Sequence, residues 1–294
     1  MGVVGALTTA DAATLVCPEC RGELQFAGAA PNDRLAAGEL RCATCQGNWA
    51  VRDSLPRLYR DDWVKGPDRL MRRIYDSAPR LHDPAVRYGL PVMQLGGRED
   101  SMRMRYVKRM ELAGTDSGGE DRPLRVLEVS VGAGASVAMI LAHLPVGRAV
   151  EYWGLDLSVG MVGVCQRRLQ RSGEERVRLL LGDAHRLPFR DGWFDRVFHV
   201  GGIGGFSNPA AALAEMARVA RPDTPIVVVD EQLEEGARFN LWKRAWFAAV
   251  TFYDDNTHCP VEALPAGAEG VVEEQISAFY YCLTFRMPAA GGDA

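Results

Sequence analysis

From Arg125 onward, apolar runs of strand length alternate with segments of helical period. "RVLEVSV" reads as a strand, "ASVAMILAHL" as a helix and "EYWGLDL" as a second strand. "VGMVGVCQRRLQ" then reads as a helix capped by Ser158 and closed near Gly173. Two further strands, "VRLLLGD" and "FDRVFHV", precede a helix "PAAALAEMARVA" with Asn208 as N-cap and Pro209 at its first position. "TPIVVVDEQ" is a continuous apolar run, the pattern of a strand covered on both faces in a parallel sheet. "VVEEQISAFYYCLTFRMP" reads as two final strands joined tightly. The alternation predicts βαβ units on a doubly wound α/β sheet, Rossmann-like, that the closing pair brings to seven strands. Ligands of such sheets bind beyond the carboxyl ends of the strands.

The first strand runs straight into a loop of small residues, "VLEVSVGAGAS" from Val126 to Ser136. Glycine there lets backbone approach a ligand, and the next helix presents free N–H groups. A phosphate, a dinucleotide or a charged amino-acid cofactor fits equally well at this level. Asp156 ends the second strand 22 residues past Gly134, where a carboxylate hydrogen-bonds a ribose diol. NAD and S-adenosylmethionine both accept that acid. The dinucleotide fingerprint, however, wants a third glycine where Val137 stands, and no second domain of dehydrogenase type follows. Glu128 lies inside the first strand end, and "GDAHRLPF" follows the third strand with Asp183 able to accept from an adenine amino group.

Upstream the pattern changes. Cys17 and Cys20 form "CPEC", Cys42 and Cys45 form "CATC", and 21 residues separate the pairs. Two such turns brought together build the four-sulfur tetrahedron that zinc prefers, whereas paired disulfides are rare outside oxidising compartments. Cys165, Cys259 and Cys282 stand alone in apolar patterns and read as small buried hydrophobes. Three regions are expected: residues 1–60 as a zinc-ribbon-like domain, 61–120 as a helical linker capping the site, and 121–294 as the α/β domain.

With 294 residues, 47% apolar and 24% charged, the chain can bury a large core and a small one. No run approaches the ~18 apolar residues of a membrane span, and the N-terminus lacks a secretory pattern, so a cytoplasmic location is expected. The net charge of −4 hides an asymmetry: between Arg57 and Met110 stand thirteen Lys or Arg against seven Asp or Glu. "RLMRRIYDSAPR" and "SMRMRYVKRM" read as amphipathic helices with basic outer faces, either solvated or lying against an anionic substrate or RNA.

These motifs resemble two families. Over roughly Leu15 to Tyr59, "C-P-x-C", a second "C-x-x-C" and "VRDSLPRLY" are similar to the zinc-ribbon family that includes the activating subunit of tRNA and protein methyltransferases. Over roughly Arg125 to Pro288, "VLEVSVGAG", "GLDLSVGMV", "GDAHRLPF", "FDRVFHVGGI" and "EMARVARPDT" resemble the class I S-adenosylmethionine-dependent methyltransferases, most closely the UbiE-like branch. The resemblance implies that Glu128 anchors a network at the methionine end and that Gly132 and Gly134 admit the cofactor. It also implies that Asp183 with Ala184 faces adenine and that Leu157 and Met161 flank its ring. Ser130 replaces the family's first glycine, a change compatible with the turn provided its φ stays negative; Asp223 replaces another glycine further on.

Methyl transfer from a sulfonium is a direct displacement, so alignment and exclusion of water carry it, and a base is needed only by an acceptor that loses a proton. In this fold acceptor contacts come from three places. Tyr75 and His82 lie before the first strand, and His199 with "GGIGGF" lies after the fourth, His199 being either a base and cofactor neighbour or a bystander. Phe239, Trp242, Trp246, Val250 and Tyr253 fall on one helical stripe after the fifth, either core packing or a pocket wall. A small-molecule acceptor is the leading expectation. A tRNA or rRNA methyltransferase and a non-catalytic cofactor-binding scaffold are the alternatives; the acidic remainder and the lack of an "N-P-P-[YF]" tetrapeptide weigh against nucleic acid.

Overall fold

The computed structural model describes residues 3–77, 79, 99–112, 122–145, 147–236, 241–254 and 257–289. A short helix α1 (Thr9–Thr14), held by a capping box in which Thr8 and Asp11 bond each other's backbone N–H, precedes an antiparallel meander. Its strands are β1 (Leu24–Ala29), β2 (Ala37–Cys42), β3 (Asn48–Arg52) and β4 (Leu55–Leu58). Helices α2 (Gly66–Ser77) and α3 (Glu99–Arg109) follow, on the two basic segments. The α/β part then runs β5 (Leu124–Val129), α4 (Val137–Ala142), β6 (Val150–Asp156), α5 (Val159–Ser172), β7 (Val177–Gly182) and β8 (Arg196–Val200). It continues through α6 (Pro209–Val219), β9 (Ile226–Glu231) and α7 (Leu241–Val250) to the hairpin β10 (Glu269–Ser277) and β11 (Tyr280–Arg286).

The predicted caps are the observed ones. Ser158 Oγ accepts from Met161 N–H, Gly173 closes α5 in the left-handed region, and Asn208 caps α6 with Pro209 behind it. Helix α4 is shorter than its pattern, and the hydroxyl of Ser136 donates to Glu128 and not to the helix start.

The seven expected strands lie in the order β7-β6-β5-β8-β9-β11-β10. β5 to β9 are mutually parallel and β11 is antiparallel to β9. The chain winds outward from β5 to β7 and returns to start β8 on the other flank, so the topological switch lies between β5 and β8. The zinc-ribbon-like segment is not set apart from this sheet. β4 pairs in parallel with β7 through Arg57↔Leu181 and Leu58↔Gly182, making one sheet of eleven strands among the described residues. A sequence pattern marks a strand but not its neighbour, so this edge-to-edge join lay outside its reach.

Strand alternation sorts the core onto two faces. Leu180 faces α6 together with Leu127, Trp153 and Val197, while Leu179 and Leu181 face α5 with Val126, Tyr152 and Phe198. Leu7, Leu15, Leu40 and Trp49 of the N-terminal segment join the first of these clusters, so the two regions share a core as well as a sheet. At the seam Arg60 ion-pairs with Glu19 at 2.7 Å and lies over the rings of Trp49 and Trp63, and Arg186 lies over Trp63 from the α/β side.

Candidate functional site

The carboxyl ends of β5, β6, β8 and β9 open into a cavity of about 260 Å³, roofed by α2 and α3. Its first half is the loop after β5. Asp156, at the end of β6, accepts from the N–H of Gly132 at 2.8 Å and, through its other oxygen, from the N–H of Ser158 at 2.8 Å. One carboxylate thus fixes the loop and the start of α5 together, and burial raises its pKa against those donors. Gly132 has φ +52° and faces the cavity, with Met161 Cε 3.5 Å from where a Cβ would stand. Gly134 does not line the cavity: a Cβ there would lie 2.5 Å from Cys165 Sγ, so this glycine lets the loop pack on α5 rather than admit a ligand. Ser130 lines the cavity with φ +61°, the left-handed conformation and not the negative φ expected of it; the turn that glycine makes in the family pattern is retained at a steric cost.

Glu128 lines the same half. It is 2% exposed and accepts from the hydroxyls of Ser136 and Tyr152, and burial outweighs these donors to push its carboxyl up to about 7. A buried carboxylate with hydroxyl partners is matched to a ligand ammonium group. Leu157 and Met161 also line the cavity. Asp183 and Ala184 do not: Asp183 Oδ1 is taken by the backbone N–H of His185 at 2.9 Å and by its Nδ1 at 2.6 Å, an ion pair that lowers the Asp183 pKa against burial and raises that of His185. Asp76 of α2 was not singled out in sequence, yet it accepts from Ser158 Oγ at 2.6 Å and Gly160 N–H at 2.9 Å, pinning the roof to the start of α5.

The second half is aromatic. Tyr75, Phe206, Tyr253 and Tyr280 line it together with Glu231, the last residue of β9. Asp230 beside it receives the N–H groups of Gly202 and Gly204, both at 2.8 Å, and so shapes the "GGIGG" loop. Sequence reasoning passed over Asp230 and Glu231, although two acids closing an apolar strand were a visible signal. His199 lies outside the cavity lining: it is fully buried, its Nδ1 stands 3.0 Å from the carbonyl of Val129, and its ring meets that of Phe206 at 5.3 Å. Burial lowers its pKa. The predicted stripe on α7 divides: Tyr253 reaches the cavity, Trp246 is half-buried, and Trp242 is 69% exposed, while Phe247 takes the inward position, stacked on Phe279. His82 and Phe239 lie outside the described residues. Of the basic roof, Arg105 and Arg109 pair with Glu274, and Arg72 with Asp61, so part of that positive charge is spent within the chain.

At the far end of the sheet, the sulfurs of Cys17, Cys20, Cys42 and Cys45 lie within 4.8 Å of one another, the only such cluster of metal-ligating groups among the described residues. Cys17 and Cys45 stand 3.7 Å apart and Cys20 and Cys42 3.4 Å, close to the ~3.8 Å between sulfurs of a zinc tetrahedron. Each pair turns on a left-handed residue, Arg21 or Gln46, followed by glycine; a Cβ on Gly22 would meet Thr44 Oγ1 at 2.4 Å.

A doubly wound sheet with this strand order, a glycine-bearing loop at its switch point and an acid ending the second strand defines the class: a cofactor-binding α/β domain of methyltransferase type. Residues 126–223 match the family described as "Methyltransferase domain". The chain is similar to the demethylmenaquinone methyltransferase of Thermus thermophilus, 33% identical over 45% of this chain and 58% of that protein. It is also similar to a phthiotriol/phenolphthiotriol dimycocerosates methyltransferase of Mycobacterium ulcerans, 34% identical over 50% of this chain and 49% of that one. The matches thus span about half the length of these curated relatives. Among solved structures, a phosphoethanolamine N-methyltransferase 2 of Haemonchus contortus shares the fold with a TM-score of 0.50 at 14% identity, over 64% of this chain and 52% of that one. The α/β part of the chain has the fold and the sequence features of a class I S-adenosylmethionine-dependent methyltransferase domain. No helix among the described residues is long and apolar enough to cross a membrane.

Two outcomes follow from this geometry. Ser130→Gly relieves the left-handed strain and should raise stability by about 1 kcal/mol in urea unfolding; a loss of stability would mean that the serine hydroxyl outweighs the strain. For Glu128 the native carboxyl, at about 7, holds its proton above the ordinary 4.5, so stability falls as pH rises through that interval. Relative to Glu128→Gln, the protein should lose about 3 kcal/mol between about pH 5 and about pH 8. Parallel pH profiles of the two would remove the assignment.

Proposed function

We propose that the protein transfers a methyl group from S-adenosylmethionine to a small-molecule acceptor with a flat ring, quinone-like or otherwise aromatic. The observation that carries this reading is one continuous cavity whose β5–β6 half has a buried carboxylate and a glycine cradle, and whose β8–β9 half is walled by tyrosines. The names of the curated relatives, a demethylmenaquinone and a phthiotriol methyltransferase, support an acceptor of this kind. Glu128 would hold the ammonium of the methionine moiety, Gly132 and Ser130 its backbone contact, and Asp156 with Leu157 and Met161 the nucleoside. When bound, that group supplies an electrophilic methyl carbon; the chain's own part is to orient the acceptor and exclude water.

His199 fits the role of a support under Phe206 rather than a base, because its imidazole is sealed from the cavity and burial disfavours its protonated form. Tyr75 lines the cavity, and burial pushes its hydroxyl far above the ordinary tyrosine range, so it serves as a donor that positions the acceptor. Calorimetry with S-adenosylhomocysteine tests the reading directly. Asp156→Ala removes the ligand's acceptor and unpins Gly132 together, so affinity should fall at least tenfold, roughly 1.4 kcal/mol or more. Unchanged affinity would falsify it.

Residues 1–60 act as a structural zinc module, 61–120 as the roof and 121–294 as the catalytic region. Cys17, Cys20, Cys42 and Cys45 would fill all four positions of a zinc ion, leaving none for water or substrate, and a reducing, cytoplasmic setting keeps the thiols available. Purified protein should carry about one zinc per chain on this four-thiolate arrangement. Cys17→Ser with Cys20→Ser should lower the thermal midpoint and, through the β4–β7 join and the Arg60–Trp63–Arg186 stack, weaken cofactor binding as well. Zero zinc in a protein whose N-terminal segment stays protected from proteolysis overturns the cage.

A further inference from the structure

The aromatic half of the cavity contains one acid that no cofactor contact uses and that stands where an acceptor ring would lie. Glu231 ends β9, with its carboxylate lining the cavity. Tyr280, its direct partner across the β9–β11 pairing, stands with its hydroxyl 3.3 Å from Oε1, and the Tyr253 hydroxyl stands 3.2 Å from Oε2. Each oxygen receives one tyrosine O–H, the side chain also hydrogen-bonds the neighbouring Asp230, and a carboxylate's four lone-pair sites leave capacity for a further donor. No lysine or histidine lines the cavity among the described residues. Asp68, the other acid in this half, already accepts from Ser207 N–H at 3.1 Å near the roof.

Resting on the methyltransferase reading above, we infer that Glu231 is the proton acceptor for the substrate, oriented by Tyr253 and Tyr280. The acceptor is accordingly a neutral ring compound that gives up a proton from a hydroxyl as it is methylated. In the step, the acceptor's nucleophilic atom bonds to the methyl carbon as the carbon–sulfur bond breaks, and that bond's electron pair stays on sulfur. The acceptor's proton passes to Glu231, whose carboxylic acid returns it to solvent as product leaves. Burial and the neighbouring Asp230 raise the carboxyl's proton affinity well above that of an ordinary glutamate, which makes it a stronger base. The groups facing it are Asp230 on its own strand, Tyr75 of α2, Tyr253 after α7, and Tyr280 and Tyr281 of β11, with Arg72 and Arg103 elsewhere on the cavity wall.

The test needs no knowledge of the natural acceptor. 2-Naphthol serves as a neutral ring hydroxyl, titrated by calorimetry into the full-length protein saturated with S-adenosylhomocysteine, from about pH 5 to about pH 8.5, below the phenol's own ionisation. A carboxylate that accepts the naphthol proton predicts affinity that rises with pH as Glu231 ionises. Glu231→Gln should then bind at least tenfold more weakly at the upper pH and lose the pH dependence, while S-adenosylhomocysteine affinity stays unchanged. Tyr253→Phe, which keeps the carboxylate, should shift the pH midpoint without abolishing it. Equal naphthol affinity and equal pH profiles in the wild type and Glu231→Gln overturn the assignment, as does failure of naphthol to bind at any pH. Failure of the wild type to bind S-adenosylhomocysteine overturns the underlying reading instead.

Discussion

The carboxylate of Asp156 is the joint on which the site turns. Its two oxygens take the N–H of Gly132 and the N–H of Ser158, so the end of β6, the loop after β5 and the first turn of α5 are held by one side chain. Asp76 then bonds the same first turn from the roof. The positive φ values of Ser130 and Gly132 belong to the loop held this way, while Glu128, inside β5, is held by Ser136 and Tyr152.

The N-terminal segment joins the same sheet at its β7 edge. Because β4 extends the sheet beside β7, a cysteine cage at the far edge is connected by backbone hydrogen bonds to the strand that leads into Asp183. The stack of Arg60, Trp63 and Arg186 adds a second connection, through side chains. The cysteine cluster and the cavity therefore belong to one sheet and one shared core.

The acceptor half runs on the opposite economy. Its walls include tyrosines and a phenylalanine, its acids are Glu231 and Asp68, and the cationic side chains of the cavity lining are Arg72 and Arg103. Low dielectric surroundings raise the proton affinity of Glu231 and hold the tyrosine hydroxyls protonated, so these groups act through hydrogen bonds. Arg105 and Arg109 of α3, on a basic face read from sequence as either solvated or lying against an anion, pair with Glu274 on β10.

Periodicity, caps and cysteine spacing were sufficient for the strands, the Ser158 and Asn208 caps, the cysteine cluster and Glu128, Gly132 and Asp156 at the cavity, while the family resemblance added Leu157 and Met161. Each of these depends on contacts close in sequence or on a motif whose spacing encodes its own geometry. Four things came only with the tertiary structure: the left-handed φ of Ser130, the packing role of Gly134 against Cys165, the seclusion of His199 beneath Phe206, and the capture of Asp183 by His185. The joining of β4 to β7 and the meeting of Glu231 with Tyr253 and Tyr280 belong with them. These are decided by which distant elements pack together, and a strand pattern carries the face of each residue but not the identity of its neighbour across the sheet.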